Sequence, residues 1–594
     1  MTVEKLINDH IDIWSSALQT RFTAGRGSNG KIDLYGIKKL RELILELAVR
    51  GKLVPQDPND EPASELLKRI AAEKAELVKL GKIKKQKPLP EISEDEKPFE
   101  LPVGWEWVRL GDLTSKITDG VHHTPKYLNE GVAFISVKDI DGNKISFNNC
   151  KFISREQHEE INQRCNPEKG DLLICRIGTL GRVTIVDTDR PFSLFVSVGL
   201  IKTLLNAFSV DYLHKAFYSP CLLSQMEEIK VGGSHTNKLN LGDIPNLLIP
   251  FPAEKEQEKI VVKIAKLMSL CDKLEQQSLT SLEAHQQLVE TLLTTLTESQ
   301  NAEELAENWA RISQHFDTLF TTEASIDTFK QTILQLAVMG KLVPQDPNDE
   351  PASELLKRIE QEKAQLVKEG KIKKQKPLPP VSDDEKPFEL PMGWEWCRIG
   401  EIIANMDAGW SPACSPEPSP NEDIWGVLKT TAVQSLDYRE QENKTLPNSK
   451  LPRPQYEVHE GDILVTRAGP KNRVGVSCLV EKTRSKLMIS DKIIRFHLIS
   501  DDISAKYISL CLNRGVTADY LEASKSGMAE SQMNISQENL RSAPIALPPT
   551  AIQLKVISTI EDFFKVCDQL KSRLQSAQQT QLHLADALTD AALN

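Results

Sequence analysis

Apolar residues in this chain follow two spacings, and the switch between them marks its parts. Residues 37–49, IKKLRELILELAV, place them at helical intervals, and so do 326–338, IDTFKQTILQLAV. Each stretch predicts a helix with one buried face. The turn-rich joint VPQDPNDEP follows each one. Asp60 and Pro62 then open a second helix, ASELLKRIAAEKAELVKL, which Gly81 stops; its twin runs from about 351 to 369 and ends at Gly370. A charged arm, KIKKQKPLPEISEDEKP, is basic, then proline-broken, then acidic, and is expected to be extended and solvated.

After the tetrapeptide GWEW the spacing changes. Residues 108–250 and 397–548 carry short apolar runs between Gly, Asn and Asp turns, among them VAFISV, DLLICRI, RVTIV, DILVTRA and IIRFHLI. Each reads as a mixed α/β module dominated by strands. Each ends at a proline joint (Pro250 and Pro252; Pro548 and Pro549) and runs into a long helix. In the second, Val556, Ile560, Phe563, Cys567, Leu570, Leu574, Ala577, Gln581, Leu584 and Leu588 step four and three residues apart. That spacing is a heptad seam. The first copy has Ile260, Ile264, Leu267, Cys271, Leu274, Ser278, Ser281, His285, Leu288 and Leu292 in the same frame. Two helices of about 40 residues, roughly 60 Å long, can pair antiparallel and hold two modules apart. The alternative is that each covers its own module.

The order arm, module, long helix occurs twice. GKLVPQDPNDEPASELLKRI stands at 51–70 and again at 340–359, GKIKKQKPLP at 81–90 and 370–379, and KPFELP with GWEW at 97–107 and 386–396. A solenoid would repeat every 20–50 residues; this is a chain of two half-molecules. The modules are related but diverged. Gly170-Asp171-Leu172-Leu173 matches Gly461-Asp462-Ile463-Leu464, with Arg176, Gly178, Arg182 and Val183 matching Arg467, Gly469, Arg473 and Val474. Leu239-Asn240-Leu241 reads as the match of Met533-Asn534-Ile535. The expected fold class is α+β: two mixed α/β domains separated by long paired antiparallel, coiled-coil-like helices, with a pseudo-twofold internal repeat. The expected boundaries are 1–100, 101–252, 253–390, 391–549 and 550–594.

Composition adds constraints. The apolar fraction is 40% and the charged fraction 26% in 594 residues, ordinary for a soluble multi-domain chain. No run of about 18 apolar residues exists to span a membrane, and MTVEKLINDHIDIW lacks the apolar stretch of a signal peptide. Ten scattered cysteines without a CxxC pair point to reduced thiols in the cytoplasm. Net charge is −11, which argues against a nucleic-acid binder, yet residues 108–250 carry 16 Lys+Arg against 16 Asp+Glu, and 397–548 carry 18 against 19. The acidity lies in the helical parts, and a neutral module can still present a basic groove. No phosphate-binding loop, GxGxxG, HExxH or GxSxG is present, nor the Asn-Pro-Pro-aromatic signature of an amino-methyltransferase. His122-His123 has no ligand-spaced partner, so no metal is expected.

The layout, the GWEW starts, joints such as PFPAEKEQEKI and the long VPQDPNDEPASELLKRI repeat together resemble the specificity subunits of type I restriction-modification enzymes, in particular the type IB group. The similarity spans essentially the whole chain. The resemblance implies a non-catalytic subunit whose modules are target recognition domains. Each would read one half of a bipartite, asymmetric double-stranded DNA site, and the helices would set the spacer. Two methyltransferase subunits and two restriction-motor subunits would be its partners. No cofactor is then expected in this chain, and S-adenosylmethionine, ATP and Mg would act on the partners. The rival class is a structural adaptor that clamps two proteins without reading DNA.

In that frame the DNA-reading candidates lie where the modules differ. In the first module Gly120, His122, His123 and Thr124 form a polar loop whose glycine would let backbone approach the duplex; a plain turn is the alternative. Lys138, a charge in a strand pattern, and the pair Arg176 and Arg182 around GTLG are candidate phosphate or guanine contacts. Their twins Arg467 and Arg473 flank AGPKN with Lys471, and recurrence in both modules is equally the mark of a structural ion pair. The strongest loop is Gly233, Ser234, His235, Asn237 and Lys238, matched by Lys525, Ser526, Gly527, Ser531 and Gln532. In the second module Trp410 and Ser411 replace the histidines, with tryptophan at the groove or in the core, and Lys429 aligns with Lys138. The KIKKQK arms can grip DNA or an acidic partner, or be plain linker. Trp14, Phe22 and the 1–35 segment are expected to pack near the end of helix 550–594 and close the scaffold into a ring.

Overall fold

In the computed structural model of the chain, residues 3–21, 31–178, 180–204, 208–232 and 237–594 are described. Two compact units result: residues 1–282 with 576–594, and residues 283–575. Both divisions fall inside the long helices Glu254–Glu298 and Thr550–Leu593, of 45 and 44 residues.

The hub of the first unit is the helix Tyr35–Val49, whose face Ile37, Leu40, Leu43, Ile44, Leu47 and Ala48 is buried. Ile260, Ile264, Leu267, Cys271 and Leu274 of the first long helix share its core, as do Trp14 and Ala585. Each buried Leu or Ile contributes about 1.5–3 kcal/mol. That outweighs the partly exposed bridges from Arg41 to Asp272 and Glu275, at 2.7 and 2.6 Å, worth about 1 kcal/mol. Tyr35 Oη donates to Asp586 at 2.8 Å. Trp14 therefore packs in one core with the end of the second long helix, as expected from sequence; Phe22 lies outside the described residues.

The second unit repeats the plan around helix Glu323–Val338, with Ile326, Phe329, Ile333, Leu336 and Ala337 inward. Val289, Leu293 and Leu296 join its core from one long helix, and Val556, Ile560 and Cys567 from the other. Lys571 bridges Asp327 at 2.6 Å. The heptad frame does not run through. Leu288 and Leu584, seam positions by sequence, are 50% and 40% exposed, while their neighbours Val289 and Ala585 are buried. A straight α-helix drifts about 20° per heptad against a 3.5-residue repeat. Four heptads add up to nearly one residue's 100° rotation, so the buried face steps forward by one position. Each long helix thus presents two buried faces, one in each unit.

The modules share one topology. A four-stranded antiparallel sheet runs Thr114–Asp119, Val198–Thr203, Leu172–Cys175, Val183–Ile185 in the first. In the second it runs Ile403–Ala408, Ile493–Leu498, Ile463–Thr466, Ser477–Leu479. A three-stranded sheet with one parallel pair accompanies each, Lys151–Ile153, Val132–Ile135, Phe192–Leu194 and Asn443–Thr445, Gly426–Leu428, Leu487–Met488. Tyr212 and Tyr507 are buried twins that donate to Pro250 O and Ala546 O at 2.6 and 3.0 Å.

The arms are not free linkers. Buried Arg109 donates to Pro90 O at 2.7 Å, Glu91 O at 3.2 Å and Glu96 at 2.9 Å. Arg398 repeats this on Pro379 O, Pro380 O and Glu385, at 2.9, 2.9 and 2.7 Å. The proline-acidic half of each arm is strapped to its module, and the lysines of the basic half stay mostly exposed. Arg398 holds the Glu385 carboxyl down at about 2, from 4.5. A depressed carboxylate stabilises above its unfolded pKa and loses that contribution as pH falls through its folded pKa. The strap over 379–386 is therefore expected to stay protected from amide exchange at pH 5 and to open between about pH 4.5 and 2. Exchange that ignores pH over that window would show that Glu385 does not hold it.

Candidate nucleic-acid interface

One buried carboxylate organises the loop edge of the first module. Strand Thr114–Asp119 pairs with Val198–Thr203, Asp119 opposite Gly199. At Gly120 the chain passes so close to the next strand that a Cβ would lie 2.0 Å from Leu194 O. Val121 N donates to Leu194 O at 3.0 Å, and Val196 N returns to Val121 O at 3.0 Å. Asp119, 2% exposed, receives Arg176 and Arg164 and lies 3.1 Å from His122 Nε2. Arg176 also donates to Leu239 O at 3.1 Å and Val196 O at 3.2 Å. Leu239 N donates to Arg176 O at 2.8 Å, and Gly178 N to Asn237 O at 3.2 Å. The segment after Gly120, the 195–197 turn, the chain from Arg176 to Gly178 and the stretch Asn237–Leu239 thus meet at one edge.

The second module builds the same edge with other chemistry. A Cβ on Gly409 would lie 1.9 Å from Ile489 O, and Trp410 N donates there at 3.1 Å. Arg467 N donates to Lys492 O and Ile535 N to Arg467 O, both at 2.8 Å. Ala468-Gly469 pairs with Asn534-Met533, and Lys471 N donates to Glu530 O at 2.7 Å. The ion network moves to the neighbouring strand: Arg495 grips Asp407 at 2.7 and 3.0 Å and lies 3.5 Å from Asp462, which also holds His497. Burial works against the Arg495 charge, but Asp407 and Asp462 outweigh it and its pKa rises. The pair Asp462 and His497 matches Asp171 and Lys202, 2.6 Å apart. The recurring Gly-Asp is therefore a structural anchor.

The candidates separate into outward and inward groups. His122, His123, Thr124, Lys138, Arg182, Lys238, Ser411, Lys471, Ser526, Gly527, Ser531 and Gln532 are exposed; Asn237, Trp410, Lys429 and Arg467 are half-buried. Gly233, Ser234 and His235 lie outside the described residues. Four candidates turn inward. Gly120 is buried, and its glycine serves close approach to Leu194, not to a duplex. Arg176 spends its fork on Asp119 and two carbonyls. Arg473 donates to Gln434, Thr430 O and Val433 O at 2.8, 2.8 and 2.7 Å. Lys525, 6% exposed, pairs with Glu522 and donates to Lys471 O at 2.8 Å.

Three register readings change. Lys138 sits in the turn Val137–Asp139 just beyond the strand. Lys429 caps the equivalent turn Thr430–Ala432, where the first module has Ser136, and lies 3.6 Å from Glu442. The hydrogen-bonding twin of Leu239 is Ile535, since each N donates to its module's Arg carbonyl. The letter match to Met533 is therefore two residues out of step. Ser411 is engaged with Asp491. Trp410 packs against a core of Val427, Leu446 and Met488, with the Arg453 guanidinium 4.3 Å over its ring. Sequence reasoning missed the network residues Arg164 and Arg495, and the exposed cations Lys492 and Arg453.

Among the described residues no cluster of three or more His, Cys, Asp or Glu is placed to hold a metal, and no helix is long and apolar enough to cross a membrane. Residues 102–284 and 391–578 match the family model described as type I restriction modification DNA specificity domain. The chain is 74% identical over 610 residues to the type I restriction enzyme EcoEI specificity subunit of Escherichia coli, covering 100% of both chains. It is 49% identical over 618 residues to the EcoAI specificity subunit of the same organism, again covering 100% of both. A solved HsdS subunit from Thermoanaerobacter tengcongensis is 18% identical, with 84% of this chain and 98% of that one covered at a TM-score of 0.40.

Proposed function

The chain belongs to the type I restriction modification DNA specificity family, and from that premise we propose that each module reads one half of a bipartite, asymmetric duplex site through its composite loop edge. It is a DNA-sequence specificity subunit; the division of labour between its modules is the proposal. The observation that carries it is the edge itself. The same loops meet in both modules, yet one presents His122, His123, Arg182 and Lys238 and the other Lys471, Ser531 and Gln532. One scaffold with two side-chain sets suits two unlike half-sites. Exposed lysines and arginines supply phosphate contacts, and polar side chains at the loop tips supply base contacts. Methylation of adenine and cleavage fall to two methyltransferase and two restriction-motor subunits, where S-adenosylmethionine, ATP and Mg act.

The test is reconstitution with the partner methyltransferase and sequencing of modified adenines. Exchanging residues 108–250 for the module of a relative with another specificity is expected to change one half-site and leave the other intact. A change in both halves, or in neither, would show that the modules do not read independently.

A further inference from the structure

We infer that Arg453 reads a guanine for the second module and that Trp410 positions it, an inference resting on the proposal that this module binds duplex DNA. Arg453 stands between Pro452 and Pro454. The following proline keeps it out of the helical region, at φ −118 and ψ 84, and its N donates to Met488 Sδ at 3.3 Å. Its exposed guanidinium lies 4.3 Å from the Trp410 ring centroid and forms no ion pair among the described residues. Elsewhere in the module Arg398, Arg439, Arg473, Arg484 and Arg495 spend donors on the protein's own acceptors. Trp410 is held in turn by its backbone N–H, which donates to Ile489 O at 3.1 Å, and by packing of its side chain on Val427, Leu446 and Met488. Its neighbour Ser411 is tied to Asp491, in the turn whose Lys492 O receives Arg467 N. Arg453 therefore stands at the loop edge, not on a remote face.

A guanidinium stacked on an indole keeps its edge N–H groups free in a fixed plane. Two parallel donors match guanine O6 and N7 in the major groove. Lys471 and Lys492, exposed on the same edge, suit phosphate, which asks for charge and not for a plane. Contact with the Trp410 ring orders the Arg453 side chain in part before DNA arrives, which lowers the side-chain entropy lost on binding.

The experiment uses the full chain in complex with its methyltransferase, assayed for binding to its own site and to single-base variants of it across a salt series. Arg453→Lys keeps the charge and loses the fork. It is expected to lower affinity for the correct site about 10- to 100-fold and to erase discrimination at one G·C pair of the second module's half-site. The other half-site, the salt slope and thermal unfolding should stay unchanged. Trp410→Ala should reproduce part of that loss with Arg453 present, and Trp410→Phe, which keeps a ring beneath the guanidinium, should restore it. A near-neutral Arg453→Lys beside an Arg453→Ala that weakens all sequences alike, with a salt slope smaller by about 1, would make Arg453 a phosphate contact and overturn the inference. Unchanged discrimination in Arg453→Ala would overturn it too, leaving the modular reading intact. Failure of the unsubstituted complex to discriminate sequences would remove that reading and the inference together.

Discussion

Asp119→Ala is expected to destabilise the first unit by about 3–5 kcal/mol and to abolish reading of the first half-site. The reason is what it leaves behind. Asp119 and Arg176 are 2% and 9% exposed at their side chains, and removing one partner of a buried pair strands the other charge away from water. The remaining partners weigh little. Arg164 and His122 are 56% and 61% exposed, so Arg164→Ala should cost no more than about 1 kcal/mol. Replacing both members of the pair, Asp119→Leu with Arg176→Met, should recover most of the stability, because apolar groups of similar volume often match a buried pair. It should not recover reading, since the loops after Gly120 and Arg176 would have lost their common anchor. Urea unfolding of the first unit, followed by amide exchange in strand Thr114–Asp119, measures the first effect; adenine mapping measures the second. A loss below 1 kcal/mol for Asp119→Ala would mean that Arg176 finds water or another acceptor.

That network shows where sequence reading reached and where it stopped. The duplicated letters located the twin connector helices and arms, because a repeat reports equivalence directly, but not that the arms are strapped to their modules. They did not report direction. Arg176 and Arg467 share a motif, yet one is buried on Asp119 and the other is half-buried without that partner. Burial of Arg176 depends on a carboxylate 57 residues away, and the second module has Ala408 at the matching position. Arg473 and Lys525 turned inward for the same reason: the carbonyls they donate to, Thr430 O, Val433 O and Lys471 O, lie on other loops, which spacing cannot reveal. Arg453 went unnoticed because its meaning lies in a ring 43 residues earlier; the Pro-Arg-Pro triplet was the local signal. The heptad seam failed through accumulation. Steps of four and three describe both halves of each long helix, but a straight helix cannot hold one 3.5-residue face over four heptads.

Glycine supplies the complementary test, because Gly120 and Gly409 do one job in two modules. Both stand where the first strand of the sheet leaves it, and both bring backbone against backbone: Leu194 O at 2.0 Å and Ile489 O at 1.9 Å from a built Cβ. Comfortable carbon contacts need about 3.5–4.0 Å, and a hydrogen-bonded backbone carbonyl cannot swing aside as a long side chain would. Alanine must push the two backbone segments apart and stretch the bonds from Val121 N and Trp410 N. Overpacking of about 1–3 kcal/mol and a weakened hydrogen bond of about 0.5–1.5 kcal/mol give an expected cost of about 2–4 kcal/mol for either substitution. Gly178 is the control. It has φ +85 and nothing within 4 Å of a built Cβ, so Gly178→Ala meets only left-handed strain of about 1–2 kcal/mol. Since each close approach lies wholly within one module, Gly120→Ala should silence the first half-site and Gly409→Ala the second, each leaving its counterpart's discrimination intact. Equal penalties of this size with separable losses would mean that the two reading edges, unlike in side chains, hang on the same backbone contact; a Gly409→Ala chain that unfolds and reads like the unsubstituted one would deny that contact any part in holding the edge.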